Sequence, residues 1–125
     1  MTISEHDLVR EETATAVTAT EPAAEGGALL SFPDFTYRHI WGDRAGRWLL
    51  TLNHPWIRST SNVFVSLSEL DDIVTNVDPV PKPKPSFARM SVLSVAPTAG
   101  AVAVLIFVDS PTPVYTQLSY LAVNP

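Results

Sequence analysis

The chain has no cysteine, which excludes a disulfide framework, a thiolate metal site and a cysteine nucleophile in any compartment. No apolar run approaches the ~20 residues of a membrane-spanning helix. The first residues also lack the basic start and apolar core of a secretory leader, so no membrane partner is expected. Histidines are scarce. His6, His39 and His54 stand far apart with no paired spacing, and nothing announces a metal site. A nucleophile elbow, a glycine-rich phosphate loop and an H-E-x-x-H helix are all missing. The sequence therefore predicts no catalytic residue and no cofactor. A hydrolase would need a cleft with paired carboxylates, which chain order alone does not display.

Basic residues are also few, with 8 Lys and Arg against 13 Asp and Glu and a net charge of −5. The imbalance is local. Before Ser31, Glu5, Asp7, Glu11, Glu12, Glu21 and Glu25 face Arg10 alone, six against one. After it, seven acids (Asp34, Asp43, Glu69, Asp71, Asp72, Asp78, Asp109) balance seven bases (Arg38, Arg44, Arg47, Arg58, Lys82, Lys84, Arg89). A neutral body with scattered arginines is not a nucleic-acid binder, since phosphate affinity needs a concentrated basic face.

What is present is strand. Ser91–Val95 and Ala101–Val108 flank the turn Ala96-Pro97-Thr98-Ala99-Gly100, and Gln117–Asn124 closes the sequence. Ala101–Val108 is apolar at odd and even positions alike, so with a period of two it buries both faces, as a central strand or one covered by another subunit. Val102, Val104, Ile106 and Val108 are the candidate oligomer contacts. Phe35, Tyr37, His39 and Trp41 alternate with Thr36, Arg38 and Ile40. After Gly42-Asp43-Arg44-Ala45-Gly46, Trp48, Leu50 and Leu52 alternate in turn. That pattern reads as a hairpin with a glycine-bracketed loop, with His39 structural and Arg44 and Arg47 solvated at its tip. Pro55 breaks the strand, and Val63, Val65 and Leu67 share a face of the next one. Trp56, beside that proline, reads either as a plug on the end of the core or as a platform for a sugar ring.

Residues 1–30 are rich in Thr, Ala and Glu, and cannot build a core. Ser4-Glu5-His6-Asp7 has capping-box spacing, which predicts one or two helical turns through Arg10 to Thr13. This acidic arm is expected to order on a partner, with Leu8, Val9, Glu11, Glu12 and Val17 as its contacts. Glu69, Asp71 and Asp72 crowd oxygen ligands of the kind calcium uses, but without the glycine and spacing of a calcium loop they read as a solvated turn. Asp78 to Pro85 alternates proline with other residues and reads as a stiff, extended loop.

Taken together, Trp48-Leu49-Leu50-Thr51-Leu52-Asn53, Ile57, Ser61-x-Val63-x-Val65, Val92-x-Ser94-Val95, Gly100 before Val102-x-Val104, and the ending Leu118-x-Tyr120-Leu121-Ala122-Val123-Asn124 resemble the small β-sandwich modules of tailed-phage virions. Fibre, appendage and head-decoration proteins show a similar Ser-x-Val start, a glycine-containing turn and a closing strand of Y-L-V-I-N type. The Pro-Lys-Pro-Lys-Pro loop and the Pro97-Thr98-Ala99 insertion depart from that pattern. The resemblance covers roughly Arg47 to Asn124. It implies an all-β fold, an antiparallel β-sandwich of jelly-roll type over 31–125 with an extended N-terminal arm over 1–30. It further implies a virion structural protein, a capsid decoration (cement) or head-fibre component made in the host cytoplasm. Such a protein is commonly a homotrimer and would attach through the arm to the major capsid protein or another shell protein. The alternative from a different class is a carbohydrate-binding receptor module of a tail fibre, with Trp56, Tyr115 and Tyr120 as its glycan contacts.

Overall fold

The structure, a computed structural model, describes residues 8–16, 32–71, 82–86 and 88–125. Among them are eight strands and no helix: β1 (Val9–Thr15), β2 (Phe35–Arg44), β3 (Gly46–Asn53), β4 (Asn62–Asp71), β5 (Lys82–Lys84), β6 (Arg89–Thr98), β7 (Ala101–Asp109) and β8 (Val114–Val123). Sheet A has the order β1-β3-β7-β6 and sheet B the order β2-β8-β4-β5. Every pairing is antiparallel except β1 with β3, which is parallel.

The period of two builds one core between the sheets. Sheet A supplies Leu50, Leu52, Val102, Val104, Ile106 and Val108, all fully buried, and sheet B supplies Trp41, Leu118 and Tyr120. Val63, Val65 and Leu67 pack against this cluster from β4, and Met90, Val92 and Val95 from β6. Each large aliphatic so placed stabilises the fold by about 1.5–3 kcal/mol. β7 and β8 are inner strands of their sheets, which for β7 is one of the two readings its doubly apolar pattern allows.

Three expectations are corrected. First, β2 and β3 do not form a hairpin. β2 pairs with β8 up to Arg44, β3 pairs with β7 from Gly46, and Ala45 alone carries the chain from sheet B to sheet A. Gly46, at φ 90°, supplies the left-handed backbone for this step, while Gly42, at φ 96°, sits at the bulge around Trp41 rather than in a turn. The crossing aims the apolar faces of both strands into one core, whereas a hairpin would set them side by side on one sheet. Second, Val9–Thr15 is a strand and not helical turns. Its β-branched Val9, Thr13 and Thr15 favour extended backbone, and the ladder to β3 satisfies its amides. The capping box and Val17 lie outside the described residues, as do Asp72 and Asp78 to Pro81. Third, the turn between β6 and β7 is only Ala99-Gly100, with Gly100 at φ 83°. Pro97 belongs to the edge strand β6, where its missing N–H is tolerated.

The motif residues meet at one end of the molecule. His54 N–H donates to Gly100 O (3.0 Å) and Gly100 N–H donates to Ile57 O (2.8 Å), with Ile57 buried. Asn124 Nδ2 donates to Pro33 O (2.9 Å) and Trp56 O (3.1 Å), its backbone N–H donates to Asp34 Oδ1 (2.7 Å), and its Oδ1 accepts from Ser61 Oγ. The last strand is thereby fastened to two connections that cross between the sheets.

Candidate functional site

Each sheet turns its second face outward, and these two faces differ in kind. On sheet A the register aligns Glu11, Leu49, Leu105 and Ser94 in one row across the strands, and Val9, Arg47, Phe107 and Ser91 in the next. Leu49, Leu105 and Phe107 are half-buried, and Val9 is exposed. Leu93, thrown outward by the bulge between Val92 and Ser94, is also exposed. The Arg47 guanidinium lies 4.8 Å from the Phe107 ring centroid, and the next row, Thr13, Thr51, Ala103 and Ala96, carries only small side chains. The result is a surface with an apolar centre at Leu49, Leu105 and Phe107, bordered by Ser, Thr and charged side chains.

The candidate oligomer contacts Val102, Val104, Ile106 and Val108 are not on it. All four point into the core of their own chain with no exposed surface, because β7 turns its even positions inward and leaves the odd positions, Leu105 and Phe107, outside. The arm candidates are divided. Val9 and Glu11 face outward with the apolar surface, and Leu8 beside them is exposed. Glu12 faces inward and is fully engaged. Its Oε2 accepts from Trp41 Nε1 (2.8 Å) and its Oε1 from Arg44 Nη2 (2.8 Å). Arg44 also lies over the rings of Trp41 (4.9 Å) and Trp48 (5.3 Å), so it is not a solvated tip residue. These side chains close the side of the sandwich where the edges β1 and β2 meet.

The glycan candidates are not assembled into one surface. Tyr120 is 2% exposed in the core, and burial with the neighbouring Tyr37 raises its phenol pKa far above the ordinary value. Trp56 is half-buried in the aromatic cluster at the Asn124 end, edge-on to Phe35 (5.8 Å) and His54 (5.7 Å). Tyr115 lines a separate polar groove with Asp43, Glu69 and Lys84. Glu69 is bound there by Ser86 Oγ (2.6 Å) and Lys84 Nζ (3.2 Å), which together lower its pKa. Among the described residues, no group of three or more His, Asp or Glu is placed to hold a metal ion.

Of the two described histidines, His54 is packed inside the fold and His39 is half-buried. His54 is buried and stacks on Phe35 at 4.0 Å, its Nδ1 accepts from Trp56 N–H (3.1 Å), and burial lowers its pKa. His39 is lowered chiefly by burial, with Arg44 adding to the effect and Glu12 opposing it.

The outer face of sheet B holds a depression of about 390 Å³, lined by Thr36, Arg38, Phe64, Ser66, Ser119 and Leu121. Phe64 is 61% exposed and Leu121 43% exposed, directly opposite one another on β4 and β8. These residues escape a sequence reading aimed at conspicuous aromatics. The usable signal is that Phe64 breaks the rule of its own strand, an aromatic among Asn62, Ser66 and Ser68 on the face opposite Val63, Val65 and Leu67. Compared with protein-family models, with curated proteins and with solved structures, the chain matches none.

Proposed function

We propose that the protein is a non-enzymatic structural component of a virion, a decoration or head-fibre module of jelly-roll-like build. In this reading it works as a homo-oligomer, a trimer in keeping with the resemblance, and attaches to a shell protein through its acidic N-terminal arm. The observation that carries the reading is the outer face of sheet A. Half-buried Leu49, Leu105 and Phe107 form an apolar patch, with exposed Val9 and Leu93 on the flanking edge strands, and a small domain with surplus apolar surface ordinarily buries it against copies of itself or a larger assembly. Leu8, Val9 and Glu11 stand at the border of that face, so arm and sheet would engage the shell together. Glu12 plays no part in docking, since its carboxylate is taken up within the chain.

Sedimentation equilibrium of the full chain tests the oligomer, and Leu105→Lys is the matched variant because its side chain lies outside the core. The parent is expected to sediment as an oligomer and the variant as a folded monomer. A monomeric parent at micromolar concentration would remove the argument. Attachment is tested by mass spectrometry of density-gradient-purified tailed-phage particles from cultures that produce the chain. The protein is expected in the particle band, and recovery only at the top of the gradient would overturn the virion reading.

A further inference from the structure

We infer that the depression on the outer face of sheet B is a saccharide-binding site, in which a pyranose ring lies on Phe64 and Leu121 and is held at its edge by Arg38, Ser66 and Ser119. This goes beyond the structural reading and uses the opposite face of the molecule. It also replaces the glycan set of Trp56, Tyr115 and Tyr120, which the fold disperses.

Three observations carry it. The first is a misplaced aromatic. Phe64 is the most exposed large apolar side chain among the described residues, although its strand already buries Val63, Val65 and Leu67 on the other face. An exposed phenyl ring beside an exposed leucine offers the apolar platform that the C–H face of a sugar ring covers. The second is a prearranged polar row. Arg38 Nε donates to Gln117 Oε1, and Gln117 Nε2 donates to Ser119 Oγ (3.1 Å), with Gln117 itself 4% exposed. A buried glutamine thus fixes an arginine and a serine along one side of the platform before any ligand arrives, and polar groups fixed in this way lower the ordering cost of binding. The third is shape and polarity. At about 390 Å³ the depression is near the small end of ligand sites, roughly 300–1,000 Å³. Its lining is mainly apolar, with the hydroxyls of Thr36, Ser66 and Ser119 and the Arg38 guanidinium as the polar groups available to hydroxyls at a ring's edge. Tyr37, Val65 and Tyr120, whose side chains turn inward to the core, complete the floor. Among the described residues, the outer face of sheet A shows no buried side chain bridging an arginine and a hydroxyl as Gln117 does here. For that reason the two faces are assigned different occupants, a protein on A and a saccharide on B.

The test is a glycan array of neutral and uronic-acid-containing pyranose oligosaccharides, probed with the full chain and with Phe64→Ala, Phe64→Trp and Ser119→Ala. Because Phe64 is mostly exposed, Phe64→Ala is expected to melt at the parent's temperature, which separates lost binding from lost folding. The parent is expected to bind at least one glycan class. Phe64→Ala should weaken that binding by about tenfold or more, Ser119→Ala should weaken it less, and Phe64→Trp should retain it. A blank array overturns the proposal, as does parental binding by Phe64→Ala. If the array is blank and Phe64→Ala instead converts an oligomer to a monomer, this face is a protein interface and the saccharide assignment is wrong. Leu105→Lys, which tests sheet A, is expected to keep glycan binding per chain, so the two readings fail separately.

Discussion

The two places where the sandwich must be closed use opposite chemistry. At the end near Asn124, mostly neutral groups do the work: backbone amides of His54 and Gly100, a serine and one carboxamide join three separate segments, with the Asp34 carboxylate, which accepts the Asn124 backbone N–H, as the one charged acceptor. At the β1–β2 side, one carboxylate is shared between an indole and a guanidinium, with a second indole against them. The mostly neutral end has no side-chain ion pair among these contacts, so it depends chiefly on geometry and responds less to salt. The charged side depends on Coulomb attraction between side chains that are each less than a third exposed, so it gains energy from partial burial and loses some of it to screening. The difference teaches which closure is part of the framework. The neutral end binds the chain's last residues to its interior connections, whereas the charged side fastens one edge strand.

The largest effect should therefore follow from removing Tyr120 to Pro125. That deletion takes away two buried side chains, Tyr120 and Ala122, together with Asn124, and strips β2 and β4 of the partners that Phe35, Tyr37, Val63 and Val65 now have. Loss of one buried aromatic alone costs about 3–5 kcal/mol, against a typical margin of roughly 5–15 kcal/mol. The truncated protein is expected to be recovered as aggregate, while removal of Pro125 alone should leave the melting curve unchanged. A soluble truncation with the parent's thermal midpoint would break the comparison at its stronger side. Next in size, Asn124→Ala leaves the Pro33 and Trp56 carbonyls without their Nδ2 donor and the Ser61 hydroxyl without its acceptor. It should cost about 2–4 kcal/mol, by the same amount in low and high salt.

How much of this was legible beforehand depends on how each residue announces its surroundings. Val63, Val65 and Leu67 alternate with polar neighbours, so both their strand and its inner face can be read. Val102 to Val108 announces a strand but not a face, because Leu105 and Phe107 are as apolar as Ile106. A shift of one residue in the inferred orientation sends the whole set to the wrong side. The β2–β3 crossing is hidden for another reason. Gly42-Asp43-Arg44-Ala45-Gly46 has hairpin composition, and only long-range pairing with β7 and β8 shows that two sheets are involved. β1 has no apolar stripe at all. It is held by a backbone ladder, by Glu12 and by the small side chains of Ala14 and Ala16 against the core, which leave no strong hydrophobic pattern in the sequence. The depression on sheet B rests on three strands distant in sequence, with Phe64 as its one local sign.

A smaller effect is expected on the charged side. Glu12→Ala removes the acceptor of the Trp41 indole N–H and the partner of Arg44, at a cost of about 1–2 kcal/mol. Chemical denaturation with urea at low salt and again near molar salt measures it. The gap between variant and parent should narrow in salt, because the parent loses its screened attraction while the variant has none to lose. An unchanged gap would mean that hydrogen-bond geometry, not charge, holds β1, and the contrast with the neutral end would disappear.

The smallest effect, and the most specific, concerns the two histidines, one at each closure. Burial lowers both pKa values, so in each case the unfolded chain takes up a proton more readily than the folded one. Their contribution is fully present above the unfolded value of about 6.5 and is lost as the pH falls from there through the folded pKa, because ν_U exceeds ν_N in that window. Stability should thus decline with acid from neutrality downward, and Glu69, whose pKa is also lowered, extends the decline into the carboxylate range. The histidines differ in what surrounds them. His54 responds to burial alone, whereas at His39 the Glu12 carboxylate partly offsets burial and Arg44 reinforces it. In Glu12→Gln the opposing charge is gone and Arg44 is left uncompensated. An NMR titration of the imidazole C–H signals should then show the pKa of His39 lowered further, with His54 unmoved. Movement of both together would mean that the charged side and the neutral end respond as one unit, and a rise at His39 would contradict the placement of Glu12 beside it.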